Sequence, residues 1–137
     1  MDLDLVEELG VDGDISVDTL TLYIPDRDKE GIEIGNQRWW VLEGAKLLAT
    51  IGGGVTVMPP VEGGWLNADG NIIWEKPVLI YTHIKPDSFR ASLPTLRRFL
   101  HALGRQTRQG EVAFEFKGRF YRITEFDASS TWEEQNG

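Results

Sequence analysis

From Val17 to Ile24 the chain alternates, with Leu20, Leu22 and Ile24 on one side and Thr19, Thr21 and Tyr23 on the other, the period of a half-buried strand. Pro25 ends it, and the charged run from Asp26 to Glu33 reads as a loop. Trp40, Gly44, Leu47, Leu48 and Ile51 then fall on one face of a helix that Asn36 can cap, with Gly44 suggesting close approach to a sheet. Gly52 to Gly54 stop that helix, because the residue past the last turn commonly takes the left-handed conformation. Val55 to Met58 predicts a short strand closed by Pro59 and Pro60, and residues 63 to 74 predict a hairpin insert turning at Asp69-Gly70.

Val78 to Ile84 reads as a buried strand. Leu93, Leu96, Leu100 and Leu103 mark a second helix ending at Gly104, and Pro94 places its regular part from about Leu93 onward, after an irregular turn. Glu111 to Lys117 alternates again, and Lys117-Gly118 turns it into a last strand from Arg119 to Thr124. The order strand, helix, strand, hairpin insert, strand, helix, strand, strand predicts an α+β fold. Its expected form is a ferredoxin-like two-layer sandwich, with a mainly antiparallel sheet, both helices on one face and an extra hairpin. Residues 17–124 form the expected single domain, between an acidic flexible segment at 1–16 and an acidic tail at 125–137.

Composition adds exclusions. Without cysteine, the chain forms no disulfide, thiolate nucleophile, zinc ribbon or iron–sulfur centre. The first residues lack the basic region and apolar run of a signal peptide, and no stretch reaches the ~18 apolar residues of a membrane span, so the expected compartment is the cytoplasm. Charge is unevenly distributed: net charge is −8, yet residues 85–122 hold nine basic side chains against three acidic ones. A basic block between acidic ends either faces an anion or is covered by those ends, while the acidic total disfavours nucleic acid.

Within that block, Gly104-Arg105-Gln106-Thr107-Arg108-Gln109-Gly110 reads as a polar loop. Arg105 and Arg108 can clamp an anion while Gln106, Thr107 and Gln109 read the rest of the ligand; equally, the arginines can satisfy a helix C-terminus. Arg90, Arg97 and His101 share a helical face, read as solvated. His83, on the strand face of Leu79 and Tyr81, is the candidate for a general acid or base, and the pattern supplies no metal site, no cofactor fingerprint and no nucleophile elbow. Gly52-Gly53-Gly54 runs from helix to strand without a following lysine, so it is no phosphate loop. Of the five tryptophans, Trp65 and Trp74 flank the hairpin insert, where they serve either an interface or a small core. The sheet face carrying Thr19, Tyr23, Tyr81 and His83 is expected to pair two copies into a homo-oligomer.

Leu20-Thr21-Leu22-Tyr23, Gly54-Val55-Thr56-Val57, Gly64-Trp65 with Ala68-Asp69-Gly70 and Glu75, and the stretch Gly104 to Val112 resemble small bacterial proteins of ferredoxin-like pattern, the DUF3574 family. The resemblance covers Leu20 to Ile123, implies the same fold and implies no activity. The expected function is a non-catalytic binding or regulatory module. It would recognise a small anionic or nucleotide-like ligand, or a partner protein, through Tyr23, His83, Arg105 and Arg108. The alternatives are a small enzyme using His83 with Tyr23 and Arg105, and a purely structural interaction subunit.

Overall fold

The alternation of β1 (Asp18–Ile24) sends Leu20, Leu22 and Ile24 into full burial and leaves Thr19, Thr21 and Tyr23 on the opposite side, as a strand with one covered face requires. The computed structural model describes residues 4–12 and 17–133. β5 (Val78–Ile84) repeats the pattern and pairs with β1 along its whole length, from Asp18 opposite Ile84 to Ile24 opposite Val78. β2 (Thr56–Val57) lies outside β5, and β6 (Val112–Phe116) and β7 (Arg119–Ile123) lie on the other side of β1. The five-stranded order is β2-β5-β1-β6-β7, every neighbouring pair antiparallel. β6-β1-β5-β2 is the ferredoxin-like four-strand arrangement; β7 is appended at its edge.

Two helices cover one face of this sheet. α2 (Gln37–Gly52) buries Trp40, Val41, Gly44, Leu47 and Leu48. Asn36 occupies its N-cap without a side-chain capping bond, and Gly53, left-handed at φ 88°, ends it. At Gly44 the helix approaches Ile80 of β5 and Phe99 of α3 (Pro86–Gln106), as the stripe predicted. The hairpin insert is its own two-stranded sheet, β3 (Gly63–Leu66) and β4 (Ile72–Glu75). Asn67 sets its turn by accepting the amides of Asp69 and Asn71 at 3.0 Å each. The fold is therefore the expected α+β ferredoxin-like sandwich with an inserted hairpin.

α3 departs from its predicted limits at both ends. It begins at Pro86, because a first-turn proline needs no donor, and it runs through Pro94. Arg90 and Pro94 are both exposed, so the Arg90 carbonyl deprived of its amide partner lies on the solvent side. The buried stripe is Ser92, Leu96, Phe99, Leu100 and Leu103, with Leu93 exposed. The helix also continues past Gly104 to Gln106, so Arg105 and Gln106 are helical, not loop, residues.

His101, expected on a solvated face, is buried beneath the chain's C-terminal segment. That segment, set apart in the sequence as a tail, packs Phe126 and Trp132 against the core as far as it is described. At the other end α1 (Leu5–Leu9) is a short helix with no buried residue. The rest of the expected flexible N-terminal segment, residues 1–3 and 13–16, and the tail's residues 134–137 lie outside the described residues. Among the described residues no helix is long and apolar enough to cross a membrane.

Candidate functional site

Tyr23 and His83 stand on the open face of the sheet. The register sets Tyr23 opposite Leu79 and Thr19 opposite His83, so the two side chains are four residues apart along the strands, about 13 Å. The His83 ring lies 3.2 Å from the Thr19 hydroxyl through Nδ1 and edge-on to Tyr81. The Tyr23 phenol donates to Glu115 Oε2 at 2.5 Å beside the Phe120 ring. Burial first, and then the bond to Glu115 and its negative charge, push the phenol up to about 12, so it stays protonated at neutral pH.

The polar stretch after α3 is engaged by the chain itself. Arg105 donates through Nε and Nη2 to the Ser130 carbonyl at 3.1 and 2.5 Å. Gln106 and Trp132 exchange two bonds: the side-chain amide donates to the Trp132 carbonyl, and its Oε1 accepts the Trp132 amide. Thr107 is buried and donates to the Leu103 carbonyl, and Gln109 donates to the Arg27 carbonyl at 2.8 Å. Arg108, at φ 58°, reaches Glu30 at 3.5 Å. The structure does not bring Tyr23, His83, Arg105 and Arg108 to one place.

Beside these, Arg97 grips Asp127 with two bonds of 2.7 and 2.9 Å, and the Asp127 amide donates to His101 Nδ1 at 2.8 Å. The Arg97 guanidinium, and behind it His101, hold the Asp127 carboxyl below the usual carboxylate range against the opposing effect of desolvation. Trp132 stands edge-on to Phe99 with the Arg98 guanidinium 4.8 Å over its ring.

A different set of residues forms a cleft where β1 leaves the sheet and the hairpin insert rejoins it. Pro25 breaks the strand ladder and turns Asp26 toward the end of β4. Asp26 Oδ1 accepts the Lys76 amide at 3.0 Å, and the Gln37 side chain donates to both the Ile24 and Lys76 carbonyls, at 3.1 and 2.9 Å. These bonds hold β1, α2 and the insert together beside an open cleft of about 340 Å³, lined by Asp26, Arg27, Glu62, Trp74, Glu75 and Lys76.

Glu75 is half-buried, and burial first, then the negative charge of Asp26, raise its pKa, while its hydrogen bond with the Trp65 side chain acts in the opposite direction. Trp74 and Trp65 are 61% and 52% exposed, Trp65 on the Glu75 face of the hairpin and Trp74 over Gly64 on the other. Arg27 stands at the rim, 3.8 Å from Asp26 and 3.6 Å from Glu33. Two adjoining carboxylates with the Trp65 indole beside Glu75 suit a soft organic cation, and the flanking Arg27 and Lys76 suit a carboxylate on the same molecule. Among the described residues no group of three or more His, Cys, Asp and Glu side chains is arranged to hold a metal.

Sequence reasoning passed over Asp26 and Glu75 as site residues. The tryptophans bracketing an Asp-Gly hairpin were the available signal for Glu75, whereas Asp26 looked like one of many loop acids.

No protein-family model matches this chain, and no curated protein matches it. Among solved structures it is similar to a phage SAM lyase in complex with S-methyl-5′-thioadenosine, at a TM-score of 0.53 and 12% identity over 84% of this chain and 96% of that one. A phage SAM lyase in the apo state aligns at 0.51 and 14% identity over 90% and 99%. The divalent cation tolerance protein (Cut A1) from Thermus thermophilus aligns at 0.43 and 13% identity over 82% and 88%. The two lyase structures share the fold of this chain.

Proposed function

We propose that the chain is a small-molecule binding module whose ligand is a nucleoside-bearing sulfonium of the S-adenosylmethionine class, held in the cleft between Asp26, Glu75 and Trp74. The observation that carries this reading is Glu75, a half-buried carboxylate crowded by Asp26 beside the exposed Trp65 indole on its own face of the hairpin. A bound cation relieves that crowding, and attraction between a cation and an aromatic face adds about 0.5–2 kcal/mol. A cleft of about 340 Å³ has the size of a small-ligand site. The ligand's ammonium and sulfonium groups face Asp26 and Glu75, its carboxylate faces Arg27 or Lys76, and its adenine lies on Trp74 or Trp65. The lyase fold, seen with S-methyl-5′-thioadenosine, supports a nucleoside of this class. The nucleotide-like ligand expected from the sequence is kept; its charge is reversed, because Arg105 and Arg108 are turned to the chain's own groups.

Titration calorimetry with S-adenosylmethionine tests the reading. Wild type binds it at least tenfold more tightly than neutral S-methyl-5′-thioadenosine, and Glu75→Gln removes that preference. Binding weakens on acidification, beginning above the pH at which an ordinary glutamate titrates, because the raised Glu75 is protonated there and no longer attracts the cation. Absence of binding, or equal affinity in Glu75→Gln, contradicts the proposal. Chromatography of the spent mixture separates its two forms: intact ligand fits a binding role, and accumulating S-methyl-5′-thioadenosine fits turnover at the same cleft.

A further inference from the structure

α1 is closed at both ends before it meets any partner. Asp4 caps it by accepting the Glu7 amide at 3.3 Å, and Gly10, left-handed at φ 68°, ends it. Its apolar side chains are nonetheless exposed, Leu5 by 49%, Val6 by 53% and Leu9 by 71%, and Asp4, Glu7 and Glu8 surround them with negative charge.

At the far end of the sheet lies a groove of about 400 Å³ between the first turns of α2 and the edge strand β2, walled by Val41, Val57, Met58, Pro60 and Val78. Arg38 supplies its one charged lining group. Pro59 and Pro60 lack amide donors, so the two-residue edge of β2 cannot be extended by a partner strand there; a short helix presenting apolar side chains is the shape that fits.

We infer that α1 of one copy seats in this groove of a second copy, with Leu5 and Leu9 against Val57 and Met58 and the α1 acids facing Arg38. Leu5, Leu9, Val57 and Met58 are all exposed within one copy, so α1 does not cover its own groove. Seven residues, 11–17, join Gly10 to Asp18, a span of at most about 29 Å. Asp18 lies opposite Ile84, whereas the groove reaches Val78, six residues or about 20 Å along β5 and two strands, about 10 Å, out to the β2 edge. The two displacements combine to about 22 Å, so the tether has slack and does not itself choose between the two grooves. The acidic helix of a second copy meets the Arg38 rim of this open groove, as a self-complementary contact requires.

Sedimentation velocity of the full chain over a hundredfold concentration range tests this. Wild type associates at tens of micromolar; Leu5→Asp with Leu9→Asp makes it monomeric, with the thermal melt of the domain unchanged. Arg38→Glu weakens association at least tenfold, and adding Glu7→Lys and Glu8→Lys restores it. A wild type that stays monomeric overturns the inference. So does association that survives the Leu5 and Leu9 substitutions but is lost in Tyr81→Glu, which would put the contact on the open sheet face.

Discussion

Gly104 sits in the last turns of α3 with the Phe126 ring lying directly on its Cα, where a β-carbon would enter the ring's van der Waals envelope. Its glycine identity thus comes from a contact 22 residues downstream, not from a helix stop. This is why the sequence misled: a glycine after a leucine stripe signals a terminus, and nothing local reveals a ring packed on top of it. Gly104→Ala is expected to lower stability by about 1–3 kcal/mol, the usual cost of forcing atoms into a filled space, although alanine is the better helix former. Urea denaturation measures it; an unchanged or raised midpoint would mean that Phe126 does not pack there. His101 and Glu75 teach the same lesson, since each owes its surroundings to residues distant in sequence, Asp127 for the first and Asp26 for the second.

Elements whose identity depends on period alone were legible. The alternation of β1 and β5 and the α2 stripe appear in the structure where the pattern put them, because one covered sheet face dictates every second residue. The limits of α3 were not legible, since Pro94 breaks a local rule that an exposed helix face tolerates. The segment after β7 was not legible either. Besides Phe126 and Trp132, it is held to α3 by Arg97, Arg105 and Gln106 reaching Asp127, Ser130 and Trp132, polar contacts that leave no periodic trace. Arg97→Ala is expected to release the Asp127 amide from His101, raising its hydrogen-exchange rate at least tenfold while β1 and β5 keep their protection. The pH effect has a definite sign. The folded Asp127 carboxyl titrates below the usual value, so its contribution is present above the ordinary aspartate range and is lost as pH falls through the depressed value. Exchange at Asp127 that ignores both Arg97→Ala and acid would contradict the clasp.

At the scale of the molecule the basic block of residues 85–122 is largely turned to the chain's own groups. Arg97 meets Asp127, Arg105 meets the Ser130 carbonyl, Arg108 meets Glu30, Lys117 meets Asp18 and Arg122 meets Glu111. The exposed pairs among these add little stability, so they account for where the charge lies more than for why the protein folds. The cavity at the hairpin insert instead mixes charge, Asp26, Glu62 and Glu75 with Arg27 and Lys76, in a site assembled from three separate stretches of sequence. A sulfonium nucleoside seated in this cleft would lie against Trp65 or Trp74, and the five tryptophans provide the probe. In ¹H–¹⁵N spectra titrated with S-adenosylmethionine, the indole signals of Trp65 and Trp74 shift saturably while those of Trp39, Trp40 and Trp132 hold still. Unmoved signals from Trp65 and Trp74, or a response confined to Trp132 beside Arg98 and Arg105, would contradict the account.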